Sequence, residues 1–104
     1  MNLQQEQWWA GAQNDANAAF LDVRTQDEFE RGTIPNAINI DIYKGQGFIY
    51  LLEELDKSKS YYVYCHAGSR SAKASEVMKE LGFEKTFNLV GGFSEWNGPI
   101  VAPN

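Results

Sequence analysis

The run Tyr61-Tyr62-Val63-Tyr64, followed at once by Cys65-His66-Ala67-Gly68-Ser69-Arg70-Ser71, constrains this chain more than any other stretch. β-Branched and aromatic residues in succession form a strand. The small residues after them form a turn, and a helix opens from about Arg70. A strand that hands over to a helix this abruptly brings the helix's unpaired N–H groups, and the positive end of its dipole, to the strand's carboxyl end. The only cysteine and the only histidine of the chain lie in that turn. Such surroundings favour thiolate, the nucleophilic form of cysteine, and they cradle an anion. Cys65 is therefore the candidate nucleophile and its turn the candidate functional loop.

The flanking sequence supplies a frame for that loop. A helix is expected over residues 3–13, with Trp8 and Trp9 about 100° apart so that one packs and the other sits at its rim. A turn at 14–17 leads to a strand over 18–23, apolar enough to be buried on both faces. Thr25-Gln26-Asp27-Glu28 forms a capping box that starts a short helix running to about Arg31. A strand over 37–40 follows, then a helix over 48–55 after Gly45 and Gly47, the central strand 61–64, and a helix over 70–81 stopped by Gly82. A strand over 86–90, a Gly91-Gly92 turn and one helical turn over 93–96 complete the series. Strands alternating with helices at this spacing predict βαβ units and a parallel sheet, hence an α/β fold. With 104 residues, the expectation is one domain over 1–104.

Composition removes several functions. The net charge is −5 and the nine Lys and Arg residues are scattered, which argues against nucleic acid as a partner. No run of about 18 apolar residues is present, so no membrane span is expected. Residues 1–7 lack the basic start and apolar core of a secretory signal. A lone cysteine forms no internal disulfide and suits a reducing, cytoplasmic setting. One Cys and one His are too few for a structural zinc site. Gly45-Gln46-Gly47 lacks the rest of a nucleotide fingerprint. No metal or cofactor is expected.

Five segments together resemble the single-domain rhodaneses, a family of sulfurtransferases. They are Leu21-Asp22-Val23-Arg24, Glu28-Phe29, Gly32-x-Ile34-Pro35-x-Ala37-x-Asn39-Ile40, Cys65-x-x-Gly68-x-Arg70-Ser71 and Gly91-Gly92-Phe93-x-x-Trp96. The resemblance runs from about Leu3 to Val101, with the motifs in family order. It implies a three-layer domain: a mainly parallel sheet of four to five strands, helices on both faces, and the cysteine loop at the strands' carboxyl ends. It also implies that Cys65 takes a sulfur atom from thiosulfate, a persulfide or a polysulfide. Cys65 then carries that sulfur as a persulfide and gives it to a thiol, cyanide or a sulfur-accepting protein. The chain departs from the family in having Thr33 where a histidine is common. Only residues 1–3 are left to supply the first strand, and Arg70 is the loop's sole basic residue.

On this reading His66, Ala67, Gly68, Ser69, Arg70 and Ser71 line the substrate site. A cation in the first turn of a helix opposes the dipole, so Arg70 is read as an anion contact. Ser69 and Ser71 either donate to the sulfur or cap the helix. His66 points to the rim. Arg24 is a second anion contact suggested by the resemblance, and Asp22 a buried anchor beside the site. Two other functions compete with sulfur transfer by turnover. One is a sulfur-carrying or partner-binding module without turnover. The other is a cysteine-dependent phosphatase or arsenate reductase. Phosphatase loops of this kind place five residues between Cys and Arg, whereas four intervene here.

Overall fold

All five residues of the strand Ser60–Tyr64 are buried, and its side chains alternate between two cores. Tyr61, Val63 and Cys65 enter one cluster with Leu21, Phe48, Leu52, Ala74 and Met78. Tyr62 and Tyr64 enter another with Trp8, Ile34, Leu89 and Trp96. A strand packed on both faces needs a neighbour on each side as well as a layer above and below. The computed structural model, which describes residues 1–103, supplies all of these.

In chain order the elements are β1 (Asn2–Leu3), α1 (Gln5–Gln13), β2 (Ala18–Asp22), α2 (Gln26–Glu30), β3 (Ile38–Asn39), α3 (Gln46–Glu53), β4 (Ser60–Tyr64), α4 (Ser69–Glu80) and β5 (Lys85–Leu89). Short 3-10 turns occupy Ile42–Lys44 and Phe93–Glu95. The strands form one parallel sheet in the order β1-β5-β4-β2-β3. α1 and the Phe93–Glu95 turn cover one face, while α3 and α4 cover the other. The rhodanese-like three-layer architecture expected from sequence is the one observed. Its fifth strand is the two-residue β1, paired with β5 through Asn2–Asn88 and Leu3–Leu89. Among the described residues no helix is long and apolar enough to cross a membrane.

Local chemistry sets the element ends. The Thr25 hydroxyl accepts the Glu28 N–H at 3.2 Å while the Glu28 carboxylate accepts the Thr25 N–H at 3.0 Å, the reciprocal capping box. Gly82 (φ +101°) ends α4 by donating to the Lys79 carbonyl, with Phe83 donating to Met78. This double closure needs a left-handed residue, and glycine adopts that conformation without strain. Two expectations are corrected. β2 is half-buried over Ala18–Phe20, and only Leu21 and Asp22 are fully enclosed. α3 begins at Gln46, two residues before its apolar stripe, because Gly45 starts it at φ +58° after the Ile42–Lys44 turn.

Candidate active site

β4 ends at Tyr64 and α4 starts at Ser69, so residues 65–68 make the turn between them. Gly68 adopts φ +105°, which brings its N–H to 3.0 Å from Cys65 Sγ. The Ser71 hydroxyl lies 3.4 Å from the same sulfur. Cys65 is fully buried at the floor of the loop. Burial pushes the thiol up, because a buried anion loses its water. The Ser71 hydroxyl and the backbone N–H groups of Ser71, Gly68 and Ala67 outweigh burial and bring the thiol below its ordinary value. The loop thus stabilises a charged sulfur with fixed dipoles.

A second turn braces the loop from outside. The Phe93 N–H donates to the Cys65 carbonyl at 2.8 Å and the Ser94 N–H to the His66 carbonyl at 2.9 Å. The approach is so close that a Cβ on Gly92 would sit 2.5 Å from the His66 carbonyl oxygen and 2.6 Å from that of Cys65. Gly91-Gly92 therefore serves the site by letting two backbones touch.

Both arginines are committed elsewhere. Arg70 makes a two-pronged ion pair with Glu28, 2.7 Å from Nη1 to Oε1 and 2.9 Å from Nη2 to Oε2. Glu28 thereby accounts for a cation in the first turn of α4, and the bound anion inferred from sequence is not needed to explain it. The pair holds the Glu28 carboxyl well below its usual range, at about 2. Arg24 is likewise paired with a carboxylate. It is 3% exposed, its Nε and Nη2 are bonded to the Asp22 carboxylate, and Nη2 also reaches the Gly32 carbonyl at 2.7 Å. Its guanidinium lies over the Phe93 ring, with 4.3 Å to the centroid. Asp22, fully buried, is the anchor for this arginine.

Arg24, Glu28, Arg31, Gly32, His66 and Phe93 line a depression of about 260 Å³ at the loop's edge. His66, Ala67 and Ser69 are exposed around the loop. Neither serine caps α4: its N-cap is Gly68, with no side-chain cap. Thr33 is buried and bonds the Tyr64 hydroxyl at 2.6 Å. Burial raises the phenol of Tyr64 well above its ordinary value. Three contributors escaped the sequence reading: Glu28 as Arg70's partner, Gly92 as a contact surface, and Asn88. A polar residue set between Phe87 and Leu89 in β5 was the one available signal for Asn88.

The fold and loop define a class of small α/β domains that hold one cysteine sulfur at the carboxyl end of a central parallel strand. Residues 5–99 match the family model of the rhodanese-like domain, and the chain belongs to that family. It is 37% identical over 75 residues to the thiosulfate sulfurtransferase GlpE of Coxiella burnetii, covering 72% of this chain and 67% of that protein. It is 34% identical over 85 residues to YrkF of Bacillus subtilis, a protein provisionally named as a sulfur carrier. That alignment covers 82% of this chain but only 44% of YrkF. The crystal structure of a rhodanese-like domain protein from Staphylococcus aureus superposes with a TM-score of 0.83 at 26% identity, covering 99% of this chain and 98% of that one.

Proposed function

We propose that this protein transfers a sulfane sulfur through a persulfide on Cys65. The observation that carries the reading is the lone thiol at the base of a loop whose N–H groups converge on its sulfur and favour the anion. The Cys65 thiolate attacks the outer sulfur of the donor. The donor's S–S bond breaks and its electron pair leaves with the departing group, sulfite from thiosulfate or a thiolate from a persulfide or polysulfide. Cys65 keeps the sulfur as Cys–S–S⁻. A thiolate or cyanide then attacks the terminal sulfur, leaving as a persulfide or thiocyanate and restoring the thiolate. No proton need move if both sulfurs are ionised, which fits a loop without a buried general base.

Gly68 and Ser71, with the N–H of Ala67, hold the sulfur. His66, Ser69 and Arg24 form the surroundings of the approaching donor, and Asp22 keeps Arg24 in place. Because Glu28 neutralises Arg70, persulfides and polysulfides suit the site better than a doubly charged donor. A sulfur-accepting protein is a natural second substrate, and the free thiol suits the cytoplasm. The provisional name of YrkF favours a second reading, sulfur carriage without small-molecule turnover.

Intact mass after exposure to thiosulfate, polysulfide and a low-molecular-weight persulfide in turn tests the proposal. The protein gains one sulfur atom, cyanide removes it, and Cys65→Ser never shows the gain. Turnover by Cys65→Ser would overturn the mechanism. Loading without multiple turnover with cyanide or thiols would select the carrier reading.

A further inference from the structure

A line of polar side chains runs from the Cys65 sulfur to the edge strand β1 of the sheet. Ser71 Oγ lies 3.4 Å from Cys65 Sγ, 3.2 Å from the Gly68 carbonyl oxygen, and in a short hydrogen bond with Asn88 Oδ1. Asn88, on β5, is 4% exposed. Its Nδ2 donates to Asn2 Oδ1 at 3.0 Å and to the Gly68 carbonyl at 3.4 Å. A carbonyl oxygen only accepts, so the amide nitrogen must face Gly68 and the amide oxygen must face Ser71.

This fixes the proton. An amide oxygen carries none, so the hydrogen in the Ser71–Asn88 bond belongs to Ser71. A hydroxyl has a single hydrogen to donate. While it is held by Asn88, Ser71 presents only lone pairs to Cys65. It can accept from a neutral S–H but cannot donate to S⁻. To serve a charged sulfur the hydroxyl must leave Asn88 and turn.

We propose that Asn88 is a positioning residue that holds the Ser71 proton off Cys65 while the sulfur is neutral and yields it when charge develops there. The inference rests on the reading of Cys65 as the reacting sulfur. Asn88 then acts as a competitor: its oxygen is lost as a partner whenever the thiolate or the persulfide gains the hydroxyl. Without that oxygen, the hydroxyl has only the longer contact to the Gly68 carbonyl to give up, and Ser71 serves the anion at a smaller loss. The charged groups around the sulfur are otherwise engaged. From α2 and α4, Glu28 and Arg70 pair with each other. From β2, Asp22 pairs with Arg24. His66 is exposed, Glu95 lies against Gly91, and the Tyr64 hydroxyl is bonded to Thr33.

The test is a titration of the thiol, followed by thiolate absorbance in the ultraviolet or by alkylation rate against pH. Asn88→Leu, apolar and similar in size, should lower the midpoint by about half a pH unit, roughly threefold more thiolate below it. In a Ser71→Ala background the same substitution should leave the midpoint unmoved. If Asn88 merely braced the loop, its loss would loosen the N–H groups around the sulfur and raise the midpoint, with Ser71 or without it. An unchanged or raised midpoint overturns the proposal, and so does a lowering that persists in Ser71→Ala. Should Asn88→Leu fail to fold, Asn88→Val, smaller and suited to a strand, is read in the same way. The titration needs no sulfur donor, so it stands apart from sulfur loading of the unaltered protein, whose failure would count against Cys65 as carrier.

Discussion

Glu28→Gln should separate two duties that one side chain performs. Glutamine can keep the capping box, since its amide oxygen still accepts the Thr25 N–H, but it cannot neutralise Arg70. The Glu28 carboxyl is held at about 2 against an ordinary value of 4.5. A depression of about 2.5 pH units corresponds to about 3.4 kcal/mol if fully realised. The two side chains remain 19% and 26% exposed, and water screens such pairs, so about 1–2 kcal/mol is the expected contribution at pH 7. For a chain of this size that is about 5–10 °C in Tm. A carboxylate depressed by folding stabilises fully above its unfolded value and progressively loses that effect as pH falls towards the folded one. The gap between wild type and Glu28→Gln should therefore be constant above about pH 5, close between 4.5 and 2, and shrink with added salt at pH 7. Urea unfolding at a series of pH values measures it. Equal stability at pH 7, or a gap that survives at pH 2, would refute the reasoning.

The same pair should control donor charge. A dianion about 8 Å from one uncompensated charge in water-like surroundings feels about 1 kcal/mol, roughly fivefold in rate. Hence kcat/KM for thiosulfate should fall in Arg70→Ala, rise in Glu28→Gln and return to near wild type in the double variant, with persulfide use changing little throughout. Ser71→Ala should raise the thiol midpoint and slow alkylation at pH 7, because it removes the foremost group opposing burial of the sulfur. Gly92→Ala should cost about 2 kcal/mol or more and disable sulfur loading, since its Cβ would collide with two loop carbonyls. Thermal melts and intact mass check both outcomes.

What was legible in the sequence was local. The run from Tyr61 to Ser71 announced its strand, turn and helix because adjacent residues carry the signal. Thr25 with Glu28, and Gly82 after α4, worked for the same reason. The arrangement of the site depends on partners far apart in the chain. Glu28 and Arg70 are separated by 42 residues, and a capping box already gave Glu28 a sufficient role. The pairing of Arg24 with Asp22, two residues away, likewise has no signal in residue type alone. β1 has only two residues and forms by pairing with β5. No propensity over so short a stretch could predict it.

The aromatic layer under α1 has an optical consequence. All three tryptophans of the chain share it. Trp96 stands 5.6 Å from Trp8 and 5.4 Å from Trp9, centroid to centroid. At such spacing excitation migrates among the rings, so the protein emits as one lamp on one side of the sheet. Cys65 lies in the opposite cluster. Two contacts link the lamp to the sulfur loop: Phe93, whose N–H holds the Cys65 carbonyl three residues before Trp96, and Tyr64, next to Cys65 in the chain, whose ring stands 6.1 Å from that of Trp8. A change of emission on sulfur loading would thus signal a shift in one of these two contacts, and a silent lamp would mean that the sulfur is exchanged without disturbing either.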